Sequence, residues 1–486
     1  MVTSLVVQAS REAFGADKDQ LKGKTKDELL AIIEREARGP ESKRVLRESL
    51  DYESPAHLYF SVFPCPPVIT KAKGALVWDI DGNEYIDFIG GWSVHNIGHS
   101  RPDVIEAIKA QCEVLIQYAE MPHELRTKLA KKLVEISPIN GRKKVYFGVT
   151  GGEAVEASMK FARYYTGRPT IIGFYGGYHG RTFGAMTVTS DAYMRSYQGF
   201  PLDIGVVHVP YAYCYRCLFG KEYPECGMQC TKHIEELLKS HQYGLRHVTP
   251  KGGVTNVAAL LVEPMQAHSG YITPPPEFLR NLRRIADEYD LLLIDDEVQA
   301  GWGRTGKWWG CQHSEVIPDI MPTAKSIAGG IPMSVTITKS DIMDDLGPAA
   351  HATTFGGTPL ACAAALAVIN VFEKERIVER AAERGEYLMK GLRDLEQRHR
   401  IIGNITGKGL FIGVELVKDR KTKEPATEEN VVVQKECLRK GLIYPRQGRF
   451  GNMINTICPL TIERDQIDRA LEIFDDAFAV AEKNLP

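Results

Sequence analysis

Three acidic residues follow a short apolar run in the second half of the chain. Leu291–Ile294 are apolar, and Asp295, Asp296 and Glu297 come directly after them. Such a run is typical of a strand buried on both faces, and open α/β sheets bind ligands at the carboxyl ends of their strands. The acids could simply cap the following turn. Alternatively, Asp296 stays charged and faces the ring nitrogen of pyridoxal phosphate (PLP), which makes the ring an electron sink, with Gln299 beside the ring's 3′-oxygen.

A lysine stands in an apolar stretch ahead of paired glycines, in the segment Thr-Ala-Lys325-Ser-Ile-Ala-Gly329-Gly330. Most lysines are solvated surface residues, which is the ordinary interpretation. Burial would lower the pKa of the Lys325 amine and make it usable for Schiff-base chemistry. Together with Asp296, this lysine indicates a PLP site.

Two further segments could hold the rest of such a cofactor. Thr150, Gly151 and Gly152 stand between a predicted strand and a predicted helix, where the first backbone N–H groups of the helix can bind phosphate. An ordinary helix cap is the alternative. In Tyr178-His-Gly-Arg181, the aromatic ring could stack on the cofactor, and the guanidinium could clamp a substrate carboxylate. Each of these residues alone could equally be structural.

Apolar strands alternate with amphipathic helices from about residue 103 to 370. This alternation predicts an α/β fold, a layer sandwich with a mostly parallel sheet. Helical patterns cover Glu153–Thr166 and Pro276–Tyr289. The predicted strands are Lys144–Val149, Thr170–Tyr175, Gly205–Val209, Val257–Glu263, Leu291–Asp295 and Met333–Thr338.

The two ends of the chain differ from this middle part. The N-terminal residues are charged and helical in pattern, and Asp81-Gly82-Asn83 marks a hairpin turn. After one long charged helix at residues 371–399, the predicted elements are a strand at Gly409–Val417, a helix near Glu428–Lys440, a strand at Met453–Ile457 and a helix from Glu463. We therefore predict a helical arm at 1–50, a large domain at 103–370, and a small α+β domain formed by 51–102 and 371–486.

The composition excludes several classes of function. The 486 residues carry a formal net charge of −2, which gives no indication of a nucleic-acid partner or a membrane surface. The chain contains no apolar run near the roughly 20 residues that a spanning helix needs. The first residues lack the basic start of a secretory signal, so we predict a cytoplasmic protein.

Four cysteines lie in one segment as two pairs, Cys214/Cys217 and Cys226/Cys230. Four thiolates can bind zinc, and CxxC is a usual half of such a site. The two pairs are close together, however, and the second pair is CxxxC. We therefore predict free thiols or an occasional disulfide and assign no metal.

Taken together, these segments resemble the class III aminotransferases of PLP fold type I, a group that includes 4-aminobutyrate, ornithine and other ω-amino-acid transaminases and some amino-acid racemases. The resemblance runs from about Pro67 to the C-terminus. The motifs that carry it, beyond those above, are Trp78-Asp-Ile-Asp-Gly-Asn-Glu-Tyr-Ile-Asp-Phe, Glu263-Pro, Gly301-Trp-Gly-Arg-Thr-Gly-Lys, Pro318-Asp-Ile and Thr354-Phe-Gly-Gly-Thr-Pro-Leu-Ala-Cys.

The resemblance implies a role for each candidate residue. Lys325 would form the Schiff base and carry the proton, and Asp296 would pair with the ring nitrogen. The other implied cofactor contacts are Gly151, Gly152, Tyr178, His179, Gln299 and Thr354. Thr354 would reach the phosphate of a neighbouring subunit, which implies a homodimer with shared active sites. Trp92 would line the substrate entrance.

Two positions depart from the family pattern. Asn455 stands where the family places an arginine for the α-carboxylate, and His268 stands where it places a glutamate that masks this arginine. We therefore predict an aminotransferase for an ω-amine, an ω-amino acid or a carboxylate-masked amino compound, with a keto acid as acceptor and any distal acid meeting Arg181. Two alternatives remain. One is an amino-acid racemase or epimerase on the same scaffold, which the segment Val209-Pro-Tyr-Ala-Tyr-Cys-Tyr-Arg-Cys also resembles. The other is a binding protein without PLP, which intact Lys325, Asp296 and Gln299 disfavour.

Overall fold

Two compact units make up the chain, Met1–Lys71 with Trp78–Asn83, and Ala72–Val77 with Glu84–Pro486. The structure, a computed structural model, describes residues 24–485 apart from 55–58, 192–193, 196–204, 241, 243 and 250–251. All the candidate site residues lie in the second unit. The domain boundaries suggested above, after residues 50, 102 and 370, stay a prediction.

Capping interactions fix where the two longer helices of the first unit begin. Helix α1 (Lys26–Glu36) begins after Thr25, whose side chain and that of Glu28 form a reciprocal capping box. Helix α2 (Pro40–Tyr52) begins with a proline, and the Asp81 carboxylate accepts the N–H groups of Glu41 and Ser42 at 3.0 and 2.9 Å. These helices agree with the charged arm that the sequence indicates, whose residues 1–23 lie outside the described part. The short helix α3 is Tyr59–Val62.

The helices of the second unit surround its sheets. They are α4 (Gly90–Ser93), α5 (Pro102–Cys112), α6 (Glu124–Ile136), α7 (Gly151–Thr166), α8 (Phe183–Val188), α9 (Gln229–Lys239), α10 (Pro276–Glu288), α11 (Ser340–Asp344), α12 (Pro359–Lys374), α13 (Ile377–Arg398), α14 (Thr427–Lys440) and α15 (Arg464–Ala481). Short 3₁₀ turns lie at Cys214–Arg216, Gly310–His313, Lys325–Ala328 and Glu482–Asn484.

The strands in chain order are β1 (Ile69–Lys73), β2 (Leu76–Asp79), β3 (Glu84–Asp87), β4 (Lys143–Gly148), β5 (Thr170–Phe174), β6 (Val206–Val209), β7 (Arg246–Thr249), β8 (Gly252–Thr255), β9 (Val257–Val262), β10 (Leu292–Asp295), β11 (Ile320–Thr323), β12 (Ser334–Lys339), β13 (Ile402–Lys408), β14 (Phe411–Asp419), β15 (Glu424–Pro425), β16 (Leu442–Ile443), β17 (Arg446–Gln447) and β18 (Met453–Thr456).

The large sheet has the order β4-β12-β11-β10-β9-β5-β6. Its neighbours pair in parallel except β12, which runs antiparallel to both β4 and β11. Every residue of β9 is buried, as expected for a strand covered on both faces. A second sheet, β13-β14-β18-β17, packs with the C-terminal helices. The predicted mostly parallel α/β fold with a smaller α+β part is confirmed.

Two predicted elements have different bounds. Residues 371–399 do not form one helix, because α12 ends at Lys374 and a left-handed Arg376 (φ 51°) separates it from α13. The charged pattern continues through this break without a glycine or proline to mark it. The segment before the strand predicted at Gly409 is itself a strand, and Gly409 (φ 53°) forms the turn of a hairpin.

Candidate active site

Lys325 follows the buried strand β11 and adopts a left-handed backbone conformation (φ 49°). Its Nζ donates a hydrogen bond of 2.9 Å to Oε1 of Gln299. Burial lowers the pKa of Lys325 to about 8, although the negative charges of Asp296 and Glu263 oppose this effect. A strand end and a strained turn thus present an amine that is partly neutral near pH 8.

Asp296 lies directly after β10, at the carboxyl end of the sheet. Its Oδ2 is 2.7 Å from Nδ1 of His179, and its Oδ1 accepts the N–H of Val298 at 3.0 Å. Both Asp296 and His179 are buried. The backbone N–H of His179 donates to the hydroxyl of Thr189 at 2.9 Å and fixes the loop that carries the imidazole. A carboxylate is therefore held in place by an N–H donor on a second loop.

Gln299 connects Lys325 with an aromatic pair. While its Oε1 accepts from Lys325, its Nε2 is 2.9 Å from the Tyr271 hydroxyl. The Tyr271 ring stacks on Phe411 with centroids 3.6 Å apart. The half-buried Trp92 packs against the same apolar cluster. Sequence reasoning missed Tyr271 because no motif marked it.

A buried glutamate organises the loop of Tyr178. Glu263 follows β9 and accepts the N–H groups of Tyr178 and Ala267, both at 2.9 Å. Burial raises the pKa of Glu263. In the sequence, Glu263-Pro is a motif without an assigned role, although the place of Glu263 at the end of a predicted strand is a signal for one.

Small residues leave space at the start of α7. A Cβ added to Gly151 would come within 3.0 Å of Val298 Cγ1, and one added to Gly152 within 3.2 Å of Thr182 Oγ1. The Thr150 hydroxyl caps the helix by accepting the N–H of Glu153 at 3.2 Å. The helix start is thus close to the segments that carry Asp296 and Tyr178, and its open N–H groups can receive an anion.

Two candidate residues stand apart from this group. Arg181 is exposed and forms no ion pair with any residue that the structure describes. Thr354 is exposed, and its carbonyl accepts from Nε2 of Gln117 at 2.9 Å. Their predicted contacts, with a substrate acid and with a partner subunit's phosphate, stay predictions.

The two departures from the family pattern have defined partners. Asn455 is fully buried, and its Nδ2 donates to the Ala267 carbonyl at 3.1 Å and to Oε1 of Gln447 at 2.6 Å. His268 Nε2 is 3.1 Å from Oδ2 of Asp191, and its ring lies 5.3 Å from that of Tyr178. Neither Asp191 nor Gln447 was identified from the sequence. Asp191 lies in a loop 77 residues from His268, and Gln447 lies in the short strand β17, which no pattern predicted.

These residues fit PLP on structural grounds. A buried carboxylate that is held in place suits the ring nitrogen. The start of α7, where an added Cβ would reduce the space, suits the phosphate, and a lysine of lowered pKa suits the aldehyde. Bound there, the cofactor would supply an electron sink for charge that develops at the carbon bearing the amino group. The residues that would hold it are Gly151, Gly152, Tyr178, His179, Asp296, Gln299 and Lys325.

The cysteine segment lies outside this group. Cys214, Cys217, Cys226 and Cys230 line one small pocket next to Tyr213 and Tyr223. All four are free thiols. Burial raises the pKa of Cys214 and of Cys230 to about 11, and the neighbouring thiols add to this shift. Both are therefore weak nucleophiles at neutral pH.

Comparison with known proteins places the chain among PLP enzymes. The model of the class III aminotransferases matches residues 61–478. The leucine/methionine racemase of Thermococcus litoralis is 40% identical over 87% of this chain and 95% of its own length. The isoleucine 2-epimerase of Lentilactobacillus buchneri is 37% identical over 85% of this chain and 90% of its own length. The 5-aminovalerate aminotransferase of Pseudomonas aeruginosa is 34% identical over 85% of this chain and 93% of its own length.

Solved structures agree with this assignment. An aminotransferase of Bacillus anthracis superposes with a TM-score of 0.81 at 31% identity, over 90% of this chain and 99% of that one. A PLP-bound amine transaminase from an uncultivated Pseudomonas species superposes with a TM-score of 0.79, also at 31% identity, over 88% and 98%. The chain therefore belongs to the class III aminotransferases, PLP-dependent enzymes that move an amino group between an amino donor and a keto acid.

Proposed function

We propose that this aminotransferase takes the amino group of an ω-amine, an ω-amino acid or a carboxylate-masked amino compound. One observation carries the proposal. Asn455 occupies the position where the family resemblance implies an arginine, and its only donor group is already bonded to Ala267 and Gln447. A neutral, engaged amide cannot replace a bidentate guanidinium, whose loss removes about 2–5 kcal/mol of carboxylate binding.

The residues of the site have different roles in the proposed reaction. Lys325, with a pKa of about 8, is neutral often enough to take a proton from the donor's carbon and return it elsewhere. His179 holds the Asp296 side chain in place. The loop fixed by Glu263 orients Tyr178 for stacking. The apolar residues near Trp92 exclude water from this region.

A matched screen tests the proposal. The purified enzyme is given each of three donors of equal chain length, namely a terminal amine, an ω-amino acid and an α-amino acid, with pyruvate as acceptor. We expect kcat/KM for the terminal amine or the ω-amino acid to exceed that for the α-amino acid at least tenfold. A preference for the α-amino acid would contradict the proposal. Replacement of Arg181 by Gln should weaken only donors with a distal acid.

Racemisation is the second candidate function. Two relatives, at 40% and 37% identity, bear the names of a racemase and an epimerase. Racemisation requires that the proton return to the opposite face of the carbon, and the pair His268–Asp191 beside Tyr178 offers a proton carrier besides Lys325.

Incubation of single L-amino acids without any keto acid separates the two functions. Formation of the D-enantiomer at a rate above that of the transamination would support the racemase. Replacement of His268 by Gln should then abolish racemisation and spare proton removal, measured as exchange of the Cα hydrogen in D₂O. If no D-enantiomer forms, the aminotransferase proposal stands alone.

We also infer a homodimer. Around Thr354 the surface exposes Val114, Ile116, Tyr118, Met121 and Phe355, which supports an apolar interface next to the residue expected to reach a partner. Light scattering should give twice the chain mass, and Phe355→Asp should shift it towards the monomer. A monomeric wild type would contradict this.

A cytoplasmic location stays part of the proposal. Its support is the presence of free thiols at Cys112, Cys311, Cys362, Cys437 and Cys458, as in a reducing compartment. Within the described residues, none of the helices is both long and apolar enough to cross a bilayer.

A further inference from the structure

Asp295, the last residue of β10, is fully buried, and neither of its carboxyl oxygens has a hydrogen-bond partner among the described residues. Its neighbour in space is Glu297, also fully buried. Oε1 of Glu297 accepts the N–H of Cys311 at 2.9 Å, and its Oε2 is without a partner in the same described set. One oxygen from each carboxyl group and Sγ of Cys311 lie within 4.8 Å of one another.

Two ionised carboxylates cannot coexist in such a place without compensation. The titratable groups that influence Asp295 are Glu297, Asp296, Cys311 and Tyr211. None of these four groups carries a positive charge in either of its protonation states, so none can compensate a charge on Asp295. Burial and mutual repulsion raise the pKa of Asp295 well above its usual range. Asp296, the next residue, adds to this repulsion.

We propose that Asp295 and Glu297 share one proton at neutral pH, with Asp295 as the neutral acid that donates to Oε2 of Glu297. The shared proton gives a partner to one carboxyl oxygen of Asp295 and to Oε2 of Glu297, and it avoids a third negative charge next to Asp296 and Glu297. Because Asp295 and Glu297 flank Asp296 in the chain, the pair fixes the turn that carries Asp296 and Gln299. Asp295 is thus a positioning residue, and this holds whichever amino donor the enzyme uses.

Infrared spectroscopy of the cofactor-free protein tests the proton directly. At pH 8 the ordinary carboxylates are ionised, so the difference between wild type and Asp295→Asn should show a band of a protonated carboxyl group in the wild type only, shifted in D₂O. Absence of this band would show that Asp295 is ionised and would overturn the proposal. A divalent metal found at one equivalent per chain in the wild type and lost in Asp295→Asn would also overturn it.

PLP affinity tests the positioning role of Asp295. Asparagine keeps a donor towards Glu297, so Asp295→Asn should bind PLP within about twofold of the wild type, whereas Asp295→Ala should bind it at least tenfold more weakly. Equal weakening in both variants would contradict the role of the shared proton. If Asp295→Ala fails to fold, the thermal midpoints decide. Between pH 6 and 8, below the range in which Lys325 titrates, the wild type should lose stability as pH rises, and Asp295→Asn should lose less, because only the wild type must keep a proton on Asp295 that its unfolded state releases.

Discussion

Nδ1 of His179 lies 2.7 Å from Oδ2 of Asp296, and both side chains are shielded from solvent. The two residues come from different strand ends, since His179 follows β5 and Asp296 follows β10. The pair therefore holds an acidic side chain in a fixed position where the proposed function requires one.

Removal of this donor should weaken cofactor binding. In His179→Ala, the Val298 N–H is the one hydrogen-bond donor that Asp296 keeps among the residues that the structure describes. The loss of a hydrogen bond to a charged group costs about 1.5–3 kcal/mol, or roughly 10- to 150-fold in affinity. Titration of the cofactor-free enzyme with PLP, followed by protein fluorescence, measures this. His208→Ala, which loses a bond to the Val188 carbonyl instead, is the matched control. An unchanged dissociation constant in His179→Ala would mean that the pair plays no part in binding.

The pKa of Lys325 predicts a pH dependence of cofactor capture. Only the neutral amine attacks an aldehyde, so the rate of PLP attachment should rise with pH and level off above about 8. An ordinary lysine, with a pKa of about 10.4, would show no plateau in this range. Stopped-flow absorbance between pH 6.5 and 9.5 records the profile. Borohydride reduction followed by peptide mapping should locate the cofactor on Lys325, and a label on another lysine would refute the assignment.

The same shift has a consequence for stability. Because the folded pKa lies below the unfolded value of 10.5, the folded state binds fewer protons between these two values. The free energy of unfolding of the cofactor-free protein therefore rises as pH increases from about 8 towards 10.5. Lys325→Met should remove this dependence of the free energy of unfolding on pH. Its gain in stability over the wild type should be largest below pH 8, where Lys325 is protonated. Lys109→Met, at an exposed position, should leave the slope unchanged.

Much of the fold could be predicted from patterns that act locally. Apolar runs gave the central strands β9 and β10 to within one residue at each end. The antiparallel direction of β12 could not be predicted, because direction depends on the connections around a strand. The break at Arg376 was missed since its left-handed backbone leaves no trace in the charge pattern.

The candidate site divides in a similar way. Lys325, Asp296 and Gln299 could be proposed from the sequence because each is a polar residue next to an apolar run, and the structure places Lys325 and Gln299 in contact. Contacts between loops left no such signal, and Asp191 with His268 is an example at a separation of 77 residues. The shared position of Asp295 and Glu297 was also hidden, since in the sequence both are part of one acidic cluster.

The start of α7 should not tolerate larger residues. In Gly151→Ala the new Cβ would lie 3.0 Å from Val298 Cγ1 and would push the helix start away from the turn after Asp296. We expect PLP affinity to fall about tenfold, or about 1.4 kcal/mol. Val298→Ala in the same chain should recover part of the loss, because it removes the contacting methyl groups. Gly347→Ala, which meets nothing within 4 Å, is the control for glycine replacement. Equal affinity in all three variants would argue against a phosphate at this helix.

An arginine at residue 455 should change the choice of acceptor. Asn455 is fully buried and bonded to Gln447, so a guanidinium needs the space that Gln447→Ala provides. In the double variant Asn455→Arg/Gln447→Ala, we expect kcat/KM for 2-oxoglutarate to rise about tenfold or more, because a bidentate pair to its α-carboxylate becomes available. Gln447→Ala alone is the control and should show no gain. An aldehyde of similar length, which has no carboxylate, is the control acceptor. The double variant should use this aldehyde no better than Gln447→Ala does. If both acceptors improve equally, the change has merely widened the pocket, and the missing arginine does not explain the specificity.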